Sequence, residues 1–238
     1  MNNYQAPTRF IGKKTKYLDC CESTNVLGFQ EALSLEIPEG FAWIAGQQTA
    51  GKGQRGNQWL AQANQNLLVS YLLKPTHELL PFQFFLSKAI AIGIVEGLQL
   101  WSNATFGEDL PLEIKWPNDI YLHGQKLGGI LIESNFQSGK WAFSIIGIGL
   151  NINQLEFNGI RATSLRKFSQ NPQLLDISEV FNHLSIGLEK SYDSFKIQSF
   201  QAIDETYHQF LFQKNVWHTY EDQNGQFEGK IVRVDDQG

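Results

Sequence analysis

Two rhythms of apolar positions alternate along the chain. Residues 82–100 place apolar side chains at 82, 85, 86, 89, 90, 93 and 94, which predicts an amphipathic helix. Residues 23–35 read as a shorter helix with Ser23 or Thr24 near its N-cap, and 177–195 and 203–213 read as two more. Between the helices lie compact apolar runs of strand length: 41–48, 67–73 closed by Pro75, 113–122, 127–134 and 141–152. The last three are joined by short loops, one of them the tight turn at 123–126, so antiparallel pairs are expected in their sheet. From Asn215 onward two short strands flank Asn224-Gly225, the strongest hairpin signal in the chain. A tail of that length cannot bury a core of its own. The expectation is an α/β (α+β) fold on a mixed sheet, with a small β segment after it.

Composition narrows the function classes. The 238 residues are 42% hydrophobic and 18% charged, the profile of a globular chain. No apolar run approaches 18 residues, so no transmembrane helix is expected. The N-terminal MNNYQAPTRFIGKK has no apolar stretch of the secretory kind, which predicts a cytoplasmic protein. Nineteen Lys and Arg against 24 Asp and Glu give a net charge of −5, unfavourable for general phosphate-backbone binding. A basic pocket for a single nucleotide remains compatible with that balance. Cys20 and Cys21 are adjacent, a spacing that does not suit a structural disulfide or a zinc cluster.

Three segments carry candidate chemistry. AGKGQRG surrounds Lys52 and Arg55 with Gly51, Gly53 and Gly56, so backbone N–H groups and two cations can approach an anion. Its spacing matches neither the Walker A loop nor the Rossmann fingerprint. In EIKWPNDIYLHGQKLGGILIES, Lys115 sits between Ile114 and Trp116 and is expected to be partly desolvated, a position that favours an anionic partner. Asn118 and Asp119 offer oxygens to a hydrated Mg²⁺. Lys126 follows a tight turn, and Gly128-Gly129 let a planar group lie against the backbone. In IIGIGLNIN, the alternation of Gly147 and Gly149 marks a strand that something approaches closely, with Asn151 and Asn153 beyond it. The five histidines have no ligand or triad spacing, and no nucleophile elbow is present. The inventory suits positioning and electrostatic catalysis at phosphorus rather than covalent catalysis.

Taken in order, STN (23–25), QQTAGKGQRGNQW (47–59), KWPNDI (115–120), KLGGILIE (126–133) and GIGLNIN (147–153) resemble the motifs of biotin protein ligases. The resemblance implies a mixed-sheet catalytic domain over residues 1–213 and the start of an SH3-like barrel over 214–238, incomplete here. It implies an enzyme that uses MgATP to convert biotin to biotinyl-5′-AMP and passes biotin to a lysine of the carrier domain of a carboxylase such as acetyl-CoA carboxylase. Only 22 residues precede Ser23, so a monofunctional ligase without DNA binding is expected; a homodimer stays open. Carried over, Ser23, Thr24, Asn25, Gln48, Lys52, Gly53, Gln54, Lys126, Gly128 and Gly129 would meet biotin. Lys52, Arg55, Trp59, Lys115, Asn118 and Asn151 would meet the nucleotide. Lys115, Lys126 and Arg55 would be catalytic, and Asn118 and Asp119 would hold Mg²⁺.

One departure stands out. The family loop usually reads GRGRRG, and Gln54 puts a neutral amide where the second arginine helps retain the intermediate. Lipoate ligases and octanoyl transferases share the implied fold; an octanoyl transferase should carry a cysteine among the motifs, and Cys20 and Cys21 precede the first of them.

Overall fold

In the computed structural model, which describes residues 4–157 and 159–238, a seven-stranded sheet forms the frame; the first three residues of the leader discussed above lie outside the described residues. In chain order the elements are β1 (Thr15–Cys21), α1 (Thr24–Ser34), β2 (Ala42–Gln48), β3 (Asn66–Leu73), α2 (Gln83–Phe106), β4 (Leu112–Lys115), β5 (Asp119–Leu122), β6 (Gln125–Gln137), β7 (Lys140–Asn151), α3 (Leu165–Ser169), α4 (Ile177–Lys196) and α5 (Phe200–Gln209). A separate two-stranded sheet, β8 (His218–Asp222) with β9 (Gly225–Gly229), closes the chain around the Asn224-Gly225 turn. Strand order in the large sheet is β1-β2-β3-β7-β6-β5-β4, parallel only between β1 and β2.

Two expectations change. The run 113–122 is two strands, not one, because the chain reverses after Lys115 and pairs β4 antiparallel with β5. β1 was not anticipated: it is an edge strand, exposed or half-exposed throughout, so it has no apolar alternation to read.

The pleat divides the sheet's work between its faces. Leu67, Val69 and Tyr71 of β3 and Ile146, Ile148 and Leu150 of β7 belong to the main core with α2 and α4. The alternate residues Leu72 and Ile145, with Trp43 and Phe143, pack against Leu27 and Phe29 of α1. Helices α2 and α4 cross at glycines: a Cβ on Gly187 would run into the Gly93 carbonyl oxygen and the backbone of Gly97. The pair thus approaches backbone to backbone. α2, with the turn before it, is apolar and long enough by composition to cross a membrane, but 61% of that window is buried inside the fold, between the sheet and α4.

A polar anchor holds the C-terminal stretch. The fully buried Lys88 ammonium donates to Asp204 Oδ1 at 2.5 Å and to the Val234 carbonyl at 3.2 Å, with the Phe85 ring 5.0 Å away. His208 Nε2 accepts the Val234 N–H at 2.9 Å. A buried charge needs partners of this kind. At the other end of the chain, burial works against ionisation of Glu189, yet N–H bonds from Arg9, Phe10 and Ile11 and the Arg9 guanidinium hold its carboxyl below the ordinary range.

Candidate functional site

On the α1 face of the sheet lies a cavity of about 250 Å³. Its floor is a strip of backbone, because Gly129 of β6 and Gly147 and Gly149 of β7 carry no side chains into it. The reason for glycine is different at each position. A Cβ on Gly147 would collide with the Asn25 amide, and one on Gly149 with the Trp59 indole. At Gly129 it would come within 3.2 Å of the same indole. The close approach expected in the GIGLNIN strand is therefore made by two side chains of the protein itself.

One end of the cavity is polar and uncharged. Ser23, Thr24 and Asn25 are buried where α1 begins. Ser23 occupies the N-cap position, but its hydroxyl caps no backbone N–H. Gln48, at the end of β2, receives the Thr24 N–H on Oε1 at 2.7 Å. Asn25 donates to Glu133 Oε2 at 2.8 Å and accepts from Ser70 Oγ at 2.7 Å.

The other end is cationic. The loop 49–59 folds on itself: Gly53 N–H reaches the Asn57 carbonyl at 2.7 Å and Trp59 N–H the Gly51 carbonyl at 2.9 Å. Arg55 sits within its short 3-10 turn in the left-handed region, at φ 55°. Lys52, Gly53, Gln54 and Arg55 all face the cavity from this loop. Lys126 enters from β6, with Nζ 2.7 Å from Asp119 Oδ1 and 5.5 Å from the Trp59 ring. The indole Nε1 is buried and has no hydrogen-bond partner among the described residues.

Three of the residues expected in the site stand outside this cavity. Lys115 is exposed rather than desolvated, correcting the expectation above: it ends the four-residue edge strand β4, and its ammonium meets the Tyr121 hydroxyl at 3.0 Å. It is the cross-strand partner of Asp119 and so borders the site. Gly128 faces the opposite side of β6, where a Cβ would strike Leu150 and the Gly149 carbonyl. Asn151 is buried and donates to the Thr163 carbonyl at 3.1 Å, pinning a neighbouring loop.

Asn118 and Asp119 do line the cavity. Asn118 uses its Nδ2 on the Ile130 carbonyl at 2.8 Å, leaving the amide oxygen uncommitted. Among the described residues no cluster of three or more His, Cys, Asp or Glu exists to cage a metal. One carboxylate and one amide oxygen fit a Mg²⁺ that arrives on phosphate groups and keeps most of its water. Cys20 and Cys21 are free and off the cavity; burial, reinforced by Cys20 and Glu22, raises the pKa of Cys21.

Reading the sequence missed Ser70 and Glu133, which stand behind the polar end rather than in it. The signals were present: one serine within LLVSYLL and one carboxylate within GGILIES.

Comparison with known proteins points to one family. The model of the Biotin/lipoate A/B protein ligase family matches residues 17–151. The bifunctional ligase/repressor BirA of Bacillus spizizenii is 30% identical over 239 residues, covering 97% of this chain and 70% of its own. A biotin–[acetyl-CoA-carboxylase] ligase of Paracoccus denitrificans is 35% identical over 132 residues, covering 55% of this chain and 51% of its own. Among solved structures, the R40G mutant of the Aquifex aeolicus biotin protein ligase in complex with biotin superposes with a TM-score of 0.75 at 25% identity, covering 95% of this chain and 89% of that one.

Proposed function

Because the chain belongs to the biotin/lipoate A/B protein ligase family, we propose that it activates biotin with ATP and transfers it to a lysine of a carboxylase carrier domain. The observation that carries this reading is the two-ended cavity. A neutral hydrogen-bonding end formed by Thr24, Asn25 and Gln48 faces a cationic end formed by Lys52, Arg55 and Lys126. The first suits the ureido group of biotin and the second a carboxylate beside phosphate.

In the first step a biotin carboxylate oxygen attacks the α-phosphorus of ATP, and the bond to pyrophosphate breaks. Lys126, steadied by Asp119, offsets charge at the carboxylate, and Lys52 and Arg55 do so at the phosphate. Lys115 borders the site and is left for the outer phosphates, with Asn118 and Asp119 the residues that would hold Mg²⁺. Magnesium would supply further charge neutralisation. In the second step the carrier lysine amine attacks the acyl carbon, AMP leaves, and an amide forms with loss of a proton. No protein nucleophile is required. The reading takes 1–213 as the catalytic domain and 214–238 as the start of a small barrel, places the reaction in the cytoplasm, and assigns no role to DNA.

The test is pyrophosphate release with MgATP and biotin, lipoate or octanoate in turn, with no carrier protein. Release with biotin alone is the expected result; release with lipoate alone would overturn the assignment. The same assay addresses Gln54, which lines the cavity without charge. Gln54→Arg is expected to convert slow continuous release into a single burst, because a charge-assisted bond of about 1–3 kcal/mol retains the adenylate roughly fivefold to a hundredfold longer. Identical progress curves for the two proteins would show that Gln54 has no part in retention.

A further inference from the structure

The polar end of the cavity has a direction, and that direction is imposed from behind it. Asn25 Nδ2 lies 2.8 Å from Glu133 Oε2 and 3.3 Å from the Leu131 carbonyl oxygen. A carboxylate and a carbonyl can only accept, so the amide can only point its NH₂ at them and its Oδ1 away. Oδ1 lies 2.7 Å from Ser70 Oγ, and since an amide oxygen cannot donate, the Ser70 proton goes to it.

The Thr24 hydroxyl lies 2.8 Å from Ser70 Oγ and 3.1 Å from Gln48 Oε1. With the Ser70 proton committed, Thr24 donates to one of these two oxygens. Either way its only proton points into the protein, and a lone pair is what it shows the cavity. Gln48 Oε1 is occupied by the Thr24 N–H, so Gln48 has its NH₂ to offer. The polar end therefore accepts at Thr24 and donates at Gln48. A ureido group has the complementary order, N–H beside C=O.

We infer that Glu133, with Ser70, is a positioning residue that sets the hydrogen-bond polarity of the ureido-binding end through Asn25 and Thr24. Neither Glu133 nor Ser70 lines the cavity, so neither touches the ligand. The inference rests on biotin being the ligand and deepens that reading: the site selects an acid whose head group carries donor and acceptor in this order, and disfavours a dithiolane, which has neither.

The test is calorimetric titration of the full chain with biotin, in the absence of ATP, on four proteins. Glu133→Gln replaces the acceptor-only group by one that can also donate, and is expected to weaken biotin about tenfold. Asn25→Asp sets two carboxylates face to face and is expected to weaken biotin more than a hundredfold. In Asn25→Asp combined with Glu133→Gln, the new amide donates to the new carboxylate, whose other oxygen still accepts from Ser70. That protein is expected to recover at least tenfold over Asn25→Asp alone, while ATP affinity stays at the wild-type value in all four. A role limited to packing gives additive losses with no recovery, and that result would overturn the inference. If the wild-type protein fails to bind biotin, the functional reading falls and takes this inference with it. If it binds and recovery is absent, only the inference falls.

Discussion

Lys126→Met is expected to lower biotin-dependent pyrophosphate release by a factor of a hundred to a thousand. Lys126 is the cation that β6 itself, rather than the glycine loop, delivers to the cavity, and Asp119 fixes its Nζ at 2.7 Å. Methionine keeps the aliphatic stem against the Trp59 ring and removes the charge alone. A preorganised cation or donor of this kind contributes roughly 2.7–4 kcal/mol to the transition state, hence the expected factor. The side chain is about a third exposed, so the fold should hold and Tm should move little. Single-turnover release measured at saturating biotin and ATP checks the prediction. A loss below threefold would assign the charge-offsetting role elsewhere, with Lys52 and Arg55 the next to test.

The largest effect on stability is expected from Gly187→Val. The atoms that a side chain would meet there, the Gly93 carbonyl oxygen and the Gly97 nitrogen and Cα, are all backbone, so no rotamer change makes room. The helices α2 and α4 must separate, and α2 is the element whose buried face fills the main core. Overpacking a close core typically costs 1–3 kcal/mol, and a backbone collision belongs at the upper end, about 3 kcal/mol. For a domain of this size that corresponds to a drop in Tm of roughly 6–12 °C. Thermal unfolding by circular dichroism would show it. An unchanged Tm would mean that the two helices do not touch at their glycines.

The sequence foretold some elements of this molecule and not others, for identifiable reasons. Strands β3, β6 and β7 were visible because central strands concentrate Leu, Ile and Val. β1 was invisible because Thr-Lys-Tyr-Leu-Asp-Cys-Cys owes its strand state to a parallel pairing with β2 across α1, a long-range cause without local trace. The desolvation expected of Lys115 failed on the same kind of ignorance. Its neighbours Ile114 and Trp116 look like a buried strand, but β4 is at the sheet edge and ends at Lys115. Gly147 and Gly149 announced a close approach; that Asn25 and Trp59 make it depends on contacts more than 80 residues apart. Motif order carried the rest of the site, since Ser23, Gln48, Lys126 and Gly129 meet only once the sheet has assembled.

The division of the sheet into two faces has a bearing on how such a protein changes over time. Along β7 the residues that seat the ligand cavity, Gly147 and Gly149, are interleaved one for one with Ile146, Ile148 and Leu150, which hold α2 and α4. Neighbours in the chain therefore answer to different selective demands. Drift among the aliphatic positions repacks the helical side and leaves the cavity floor in place, while the glycine positions accept almost no alternative however stable the remainder becomes. A lineage can thus acquire or lose thermal robustness through one set of codons and retain its chemistry through the set lying between them.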